Sequence, residues 1–266
     1  MPRNVFHETR IEIPLRCRPR RRTRLRSDAY GSAGVSYQTA NADQSPTRRQ
    51  ARSRLLTGAV RRDSLRGLYV IIDPAACGER DPLEIAKQAL EGGARLLQLR
   101  DKTREEGLQL PLAESLVRIC REAGVPFILN DHVDLAVAVS ADGVHVGQKD
   151  LPVAVVRRLV RPEMIIGAST NNPTEARRAE ADGADYVSVG RLYETASKTD
   201  TRPATTDTIR AVKATVSIPV CAIGGINESN IDAVIAAGAD MVAVISVVCA
   251  AEDPREAARR LAERFR

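Results

Sequence analysis

The chain of 266 residues has no tryptophan, and aromatic residues make up only 3% of it. Proteins that bind single-stranded nucleic acid commonly stack the bases on aromatic rings, so this composition is poorly suited to that function. No apolar run approaches the roughly 20 residues that a membrane-spanning helix needs, which excludes an integral membrane protein. The five cysteines are scattered, with no CxxC pair and no His–Cys cluster. This pattern excludes a zinc module and argues against a disulfide framework.

Basic charge is concentrated at the N-terminus. Residues 1–66 contain 16 Arg, no Lys and 5 acidic residues, a net charge of +11, whereas the remaining residues carry −5. The first half of this segment has no sustained apolar periodicity and its like charges repel, so we expect residues 1–66 to form a disordered Arg-rich extension. Two other interpretations stay open, an organelle-targeting segment and an arm that binds nucleic acid.

From Gly67 onward, short β-branched runs alternate with amphipathic stretches, and glycine recurs where the helices end. Several strands are continuous apolar runs, which is typical of parallel strands covered on both faces. A doubly wound open sheet is disfavoured because no GxGxxG follows the first strand. We therefore predict a compact (β/α)8 TIM barrel over residues 67–266. Its strands are predicted at 67–73, 94–100, 126–131, 143–147, 164–170, 185–191, 219–226 and 240–246.

Chemistry in such barrels is found at the C-terminal ends of the strands. Gln98, Arg100 and Lys102 alternate as the chain leaves the second strand, which places them on one side. Two cations are accepted there only if an anion meets them, so the pattern predicts binding of an anionic substrate. The alternative is that Arg100 pairs outside the site with Asp101 or Glu105.

Two carboxylates, Asp131 and Asp150, follow the third and fourth strands. A few oxygen ligands suit an Mg²⁺ ion that also holds substrate phosphates, so we predict that both are metal ligands. The alternative is that each merely caps the following helix, where Asp is common.

The last βα loops carry polar groups and glycine. The sixth loop, 192–206, is longer than usual and offers Thr195, Ser197 and Lys198, which favours an active-site lid. Gly224–Gly225 and Ile245–Ser246 follow strands seven and eight, where barrels of this type bind phosphate.

The remaining histidines and cysteines carry less information. We interpret His132 and His145 as capping or packing residues. The cysteines at 77, 120, 221 and 249 share no spacing and are expected to be small apolar fillers in a reducing compartment, which favours a cytoplasmic protein.

The chain from Gly67 to the C-terminus resembles the thiamine phosphate synthase family, also called thiamine-phosphate pyrophosphorylase. The family reaction joins 4-amino-5-hydroxymethyl-2-methylpyrimidine diphosphate to hydroxyethylthiazole phosphate and releases diphosphate. The resemblance covers the whole predicted barrel and none of the extension. It rests on the motifs QLRDK, VPFILND, ADGVHVGQKDLP, GAST, GADYVSVG and IPVCAIGGI and on the Ile245–Ser246 turn.

The resemblance implies a role for each candidate residue. The pyrimidine diphosphate would be bound by Gln98, Arg100, Lys102 and Asn130, with Ser169 in the same pocket. Asp131 and Asp150 would hold Mg²⁺ on its diphosphate. The thiazole phosphate would contact Thr195 and Ser197 and the backbone at Gly225, Ile245 and Ser246, while Lys198 would reach the diphosphate. Arg100, Lys102 and Lys198 would stabilise the leaving group, and the expected partners are small molecules, with a homo-oligomer left open.

One stretch departs from the family pattern. Many members have a GP opening and a TxTK segment in the sixth loop, whereas this chain has GRLYETASK at 190–198. This form resembles the related thiazole tautomerases, which share the barrel and do not couple rings. A tautomerase or another phosphate-binding barrel enzyme is therefore the second hypothesis. A non-catalytic barrel with a nucleic-acid-binding arm is the third.

Overall fold

The structure is a computed structural model that describes residues 65–195 and 202–266. Within these ranges, eight strands pair in chain order and close into a barrel. Every neighbouring pair is parallel. The predicted (β/α)8 barrel is confirmed. Its strands are β1 Gly67–Ile72, β2 Leu96–Leu99, β3 Phe127–Asn130, β4 Gly143–Val146, β5 Ile165–Thr170, β6 Tyr186–Val189, β7 Val220–Ile223 and β8 Met241–Val244.

Helices follow the strands around the outside of the barrel. Several begin at a side chain that accepts a hydrogen bond from the first turn, with proline in that turn, as at Asp81, Asn172 and Asp253. The α-helices of the described ranges are α1 Pro74–Cys77, α2 Pro82–Glu91, α3 Glu106–Ala123, α4 Val133–Ala138, α5 Val153–Leu159, α6 Pro173–Ala181, α7 Thr206–Lys213, α8 Ile231–Ala236, α9 Ser246–Cys249 and α10 Pro254–Ala262. A 3₁₀ turn, Glu263–Phe265, follows α10.

The strands are buried on both faces, as their continuous apolar runs predicted. All six residues of β1 are buried, and their side chains alternate between two apolar clusters. Leu68, Val70 and Ile72 belong to the layer between strands and helices. Tyr69 and Ile71 belong to the barrel interior. The interior is therefore a packed core beneath the site and not a pore.

Three details differ from the predicted pattern. The four-residue helices α1 and α9 were not predicted, and both lie on the rim where strands end. Leu65, which we assigned to the extension, is 3% exposed and packs in the barrel interior. No helix in the described ranges is long and apolar enough to cross a membrane.

Candidate active site

A cavity of about 700 Å³ opens at the C-terminal end of the barrel. It gathers every predicted site residue that falls within the described ranges. Ser197 and Lys198 lie outside those ranges. The predicted residues that line the cavity are Gln98, Arg100, Lys102, Asn130, Asp131, Asp150, Ser169, Thr195, Gly225, Ile245 and Ser246.

Arg100 is held at the mouth of the barrel by a carboxylate on the neighbouring strand. Its Nη1 lies 2.5 Å from Oδ2 of Asp73, and both side chains are largely buried. The other oxygen of Asp73 accepts from the backbone N–H of Ala75 and so caps α1. The alternative ion pair between Arg100 and Asp101 is not formed, because Asp101 binds Arg104 instead. Asp73 was not predicted to contact Arg100.

Lys102, Asp131 and Asp150 form a charged cluster on the adjoining part of the rim, after β2, β3 and β4. Lys102 Nζ contacts Oδ2 of Asp131. Burial raises the pKa of the Asp131 carboxyl; its hydrogen bond with Asp150 raises it further, and Lys102 opposes both effects. Burial would also raise the pKa of Asp150, but hydrogen bonds from Asp131 and the Gly147 N–H bring it below its ordinary value. The two carboxyls therefore influence each other's titration.

Neither carboxylate caps a helix. Helix α4 has His132 at its N-cap and no side-chain cap bond. Helix α5 has Pro152 at its N-cap, also without a side-chain bond. Asp150 Oδ2 instead accepts from the Gly147 N–H at 2.7 Å, within its own loop. The helix-cap interpretation of Asp131 and Asp150 is wrong, and both side chains face the cavity.

A second group of oxygen and nitrogen donors lies outside the cavity. One donor atom each from Glu106, His132 and Asp134 lies within 4.8 Å of the others. His132 Nδ1 is 2.5 Å from Glu106 Oε1. His132 therefore occupies the predicted cap position but contacts Glu106 with its side chain. Glu106 and Asp134 are exposed, and His132 is half-buried and already paired with Glu106.

The sixth loop packs directly on the glycine turn after β7. Leu192 N–H donates to Ile223 O, and Tyr193 N–H donates to Gly224 O at 2.9 Å. Gly225 has φ +64°, and a Cβ there would lie 2.5 Å from Glu194 O. The loop base is closed by Arg191 N–H donating to Arg202 O. The two glycines thus make room for the loop as well as exposing backbone to the cavity.

Several polar residues at the cavity were missed by sequence reasoning. Tyr69 and His145 line it from within the strands, and Arg191 and Arg202 from the base of the sixth loop. His145 is 7% exposed, so its interpretation as a packed residue is correct, but both of its ring nitrogens are hydrogen-bonded. Of these four residues, only Tyr69 could have been found from the sequence, because its position in the first strand faces the barrel interior.

A closed (β/α)8 barrel with cations, paired carboxylates and a glycine turn on the C-terminal rim defines an enzyme class that binds phosphorylated small molecules. A family model described as thiamine monophosphate synthase matches residues 68–248. The chain belongs to this thiamine monophosphate synthase family.

Individual relatives agree with this assignment. The thiamine-phosphate synthase of Moorella thermoacetica is 48% identical over 197 residues, covering 74% of this chain and 94% of that protein. The thiamine-phosphate synthase of Shouchella clausii is 46% identical over 195 residues, covering 73% and 93%. The solved thiamine phosphate pyrophosphorylase from Pyrococcus furiosus has a TM-score of 0.69 and 39% identity, covering 75% and 95%. A 3-hexulose-6-phosphate synthase structure, with a TM-score of 0.57 and 17% identity, shares the fold alone.

Proposed function

We propose that this protein is an Mg²⁺-dependent transferase that couples 4-amino-5-hydroxymethyl-2-methylpyrimidine diphosphate with hydroxyethylthiazole phosphate. The products are thiamine phosphate and diphosphate. The observation that carries this proposal is the convergence of the eleven described candidate residues on one cavity. Family membership and the names of the relatives support it.

Arg100 and Lys102 are assigned to the leaving diphosphate. As the bond to diphosphate breaks, positive charge develops on the benzylic-like carbon of the pyrimidine and negative charge grows on the leaving oxygens. Asp73 fixes Arg100 before substrate arrives, and the Asp131 carboxylate holds Lys102 at the rim. Charges that are already in place stabilise the transition state without reorganisation. Lys198, outside the described ranges, is assigned the same role.

The carboxylate pair fits a divalent cation. Asp131 and Asp150 line the same cavity, their charges interact, and a lysine partly neutralises them. Oxygen donors in this arrangement suit Mg²⁺, which keeps further positions for substrate oxygens. When bound, the ion would add positive charge next to the diphosphate. Asp131 and Asp150 would hold it, and Asn130 and Gln98 would bind the substrate beside it.

The acceptor half of the site is assigned to strands β6 to β8. Gly225, Ile245 and Ser246 line the cavity, and Ser246 begins the short helix α9. Their backbone N–H groups, with Thr195 and Ser197, would bind the thiazole phosphate. Coupling then requires the thiazole nitrogen to be positioned against the pyrimidine carbon, with no proton transfer by the protein.

The sixth loop favours one competing function. Its sequence GRLYETASK resembles thiazole tautomerases, and it places Arg191 and Arg202 at the cavity. A tautomerase has no need of Lys102, Asn130, Asp131 and Asp150 together. We therefore favour the coupling reaction.

We also propose a cytoplasmic location and no macromolecular substrate. The four cysteines of the described ranges are free and buried, which suits a reducing compartment. Three points stay predictions. They are the barrel domain at 67–266, the disordered extension at 1–66 and the formation of a homo-oligomer.

The deciding experiment incubates the purified full chain with both substrates and Mg²⁺ and measures thiamine phosphate and diphosphate. We expect equal amounts of the two products and no reaction after chelation. Isomerisation of the thiazole substrate without coupling would favour the tautomerase. Neither reaction from folded protein would overturn the proposal.

A further inference from the structure

Five side chains form a continuous hydrogen-bonded line through the barrel interior. Gln98 Nε2 donates to Tyr69 OH at 2.5 Å, and the hydroxyls of Tyr69 and Tyr186 are 3.1 Å apart. The Tyr186 hydroxyl lies 3.0 Å from His145 Nδ1, and His145 Nε2 lies 3.0 Å from Ser169 Oγ. The line therefore joins two predicted substrate residues, Gln98 and Ser169, from opposite parts of the cavity.

A glycine on a neighbouring strand leaves room for these side chains to meet. Tyr69, Gln98 and Tyr186 are no more than 2% exposed. The rings of His145 and Tyr186 stack at 5.6 Å. A Cβ on Gly167 would lie 2.3 Å from Tyr186 OH and 2.5 Å from His145 Nδ1. Only glycine at position 167 leaves these two groups room to meet.

Hydrogen-bond donation along this line of side chains runs in one direction, from Gln98 to Ser169. With the Gln98 amide oriented so that Nε2 faces Tyr69, the nitrogen donates, Tyr69 OH accepts, and the Tyr69 hydrogen is free for Tyr186. Burial raises the pKa of both tyrosines, so both keep their protons. Tyr186 then donates to His145 Nδ1, which leaves the His145 proton on Nε2. That proton is donated to Ser169 Oγ, and the serine hydrogen is left for another acceptor.

The reverse direction leaves a buried proton unplaced. If Ser169 donated to His145, Tyr69 OH would accept from both Gln98 and Tyr186. Its own hydrogen would then need a third partner, and among the described residues the structure gives this hydroxyl only those two. An unsatisfied buried donor is costly, which favours the first direction.

We propose that Tyr69, Tyr186 and His145 are positioning residues that fix Ser169 as a hydrogen-bond donor toward the substrate. The site thereby selects a substrate with a lone-pair acceptor, such as a ring nitrogen, at that point. The assignment of a substrate to this cavity rests on the proposed function. The direction of the hydrogen-bond chain does not, because it follows from the protein alone.

The first test determines the direction of hydrogen-bond donation at His145 in the absence of substrate. The chain has three histidines, so ¹⁵N-histidine labelling gives few signals, and His145 is identified by its loss in His145→Asn. We expect the wild-type His145 proton on Nε2 and an accepting Nδ1. We expect Tyr186→Phe to remove the hydrogen-bond shift at Nδ1. A proton on Nδ1 of the wild type, in the other tautomer or in the imidazolium form, overturns the proposal.

The second test reads the consequence for catalysis. We expect Tyr186→Phe to lower kcat/KM about tenfold, and Ser169→Ala about a hundredfold, for loss of a buried hydrogen-bond link. The double variant should match Ser169→Ala alone, because Tyr186 acts through Ser169. Thr215→Ala, which removes a hydroxyl that bonds Ala211 O away from the cavity lining, should stay within about twofold of wild type. Additive losses would overturn the positioning role, whereas an inactive wild type with the expected ¹⁵N pattern would overturn only the proposed function.

Discussion

Arg100 Nη1 and Asp73 Oδ2 lie 2.5 Å apart across the first two strands of the barrel. The same carboxylate caps α1 through the Ala75 N–H. One aspartate therefore anchors a rim helix and orients the cation assigned to the diphosphate.

Asp73→Asn separates these two roles. Asparagine is as good a helix cap as aspartate, but it gives Arg100 no charge to pair with. We expect kcat/KM to fall about tenfold while the melting temperature changes by only a few degrees. Asp81→Asn is the matched control, because Asp81 caps α2 in the same way through Leu83 N–H. Equal effects of the two substitutions on kcat/KM would contradict the orienting role.

The metal assignment is tested by Asp131→Asn and Asp150→Asn. Asp131 has φ +65°, a left-handed conformation that asparagine also tolerates, so the backbone should be preserved. We expect each variant to need at least about tenfold more Mg²⁺ for half-maximal rate, since a charged ligand is lost. Melting temperatures should stay close to wild type, because neither carboxylate caps a helix.

The competing cation site provides the control for that experiment. Asp134 belongs to the exposed group with Glu106 and His132. Asp134→Asn should leave the Mg²⁺ requirement unchanged. A shift with Asp134→Asn and none with Asp131→Asn would move the functional metal out of the cavity.

The base of the sixth loop should contribute pH-dependent stability. Two hydrogen bonds from Arg202, at 2.7 and 2.8 Å, hold the pKa of Glu175 below its ordinary value. Because the folded-state pKa is depressed, this stabilisation is complete above the unfolded pKa of about 4.3 and is lost as pH falls through the folded value. We expect Glu175→Gln to cost about 0.5–1 kcal/mol at pH 7 and to melt like wild type at strongly acidic pH.

Thermal melts from pH 7 to pH 3 measure this effect. Glu91→Gln, which removes an exposed ion pair with Arg255, is the control. A difference between Glu175→Gln and wild type that stays constant across this range would show that Glu175 does not contribute through its charge.

Leu65 precedes the first strand and still packs in the barrel interior. Its side chain is 3% exposed in the barrel interior, whereas Arg66 is exposed. We expect Leu65→Ala to destabilise by about 2 kcal/mol, near the lower limit for a buried leucine, and Arg66→Ala to have little effect. A chain beginning at Ser64 should keep the full kcat/KM, because the site lies at the other end of the strands. A loss beyond about tenfold would show that residues 1–63 act at the site.

The barrel was predictable because each strand is an apolar run followed by an amphipathic stretch. Strand period two also brought Gln98, Arg100 and Lys102 to one cavity. Helices α1 and α9 could not be predicted, because four residues are too few to display a helical period. The Tyr69–Tyr186 contact joins residues 117 positions apart on strands that are not neighbours, so no local pattern encodes it.

Lys102 should act on the rate at saturating metal rather than on metal binding. Its side chain is 51% exposed at the cavity rim, and its contact with Asp131 holds the charge in place for a bound diphosphate. We expect Lys102→Ala to lower kcat by about 10²–10³, the usual effect of losing one preorganised charge at a leaving group. Lys87→Ala is the matched control, because Lys87 is 53% exposed and pairs with Glu84 far from the cavity lining. Rates measured across an Mg²⁺ titration distinguish the two roles: an unchanged kcat with a raised Mg²⁺ requirement would place Lys102 in the metal site alone.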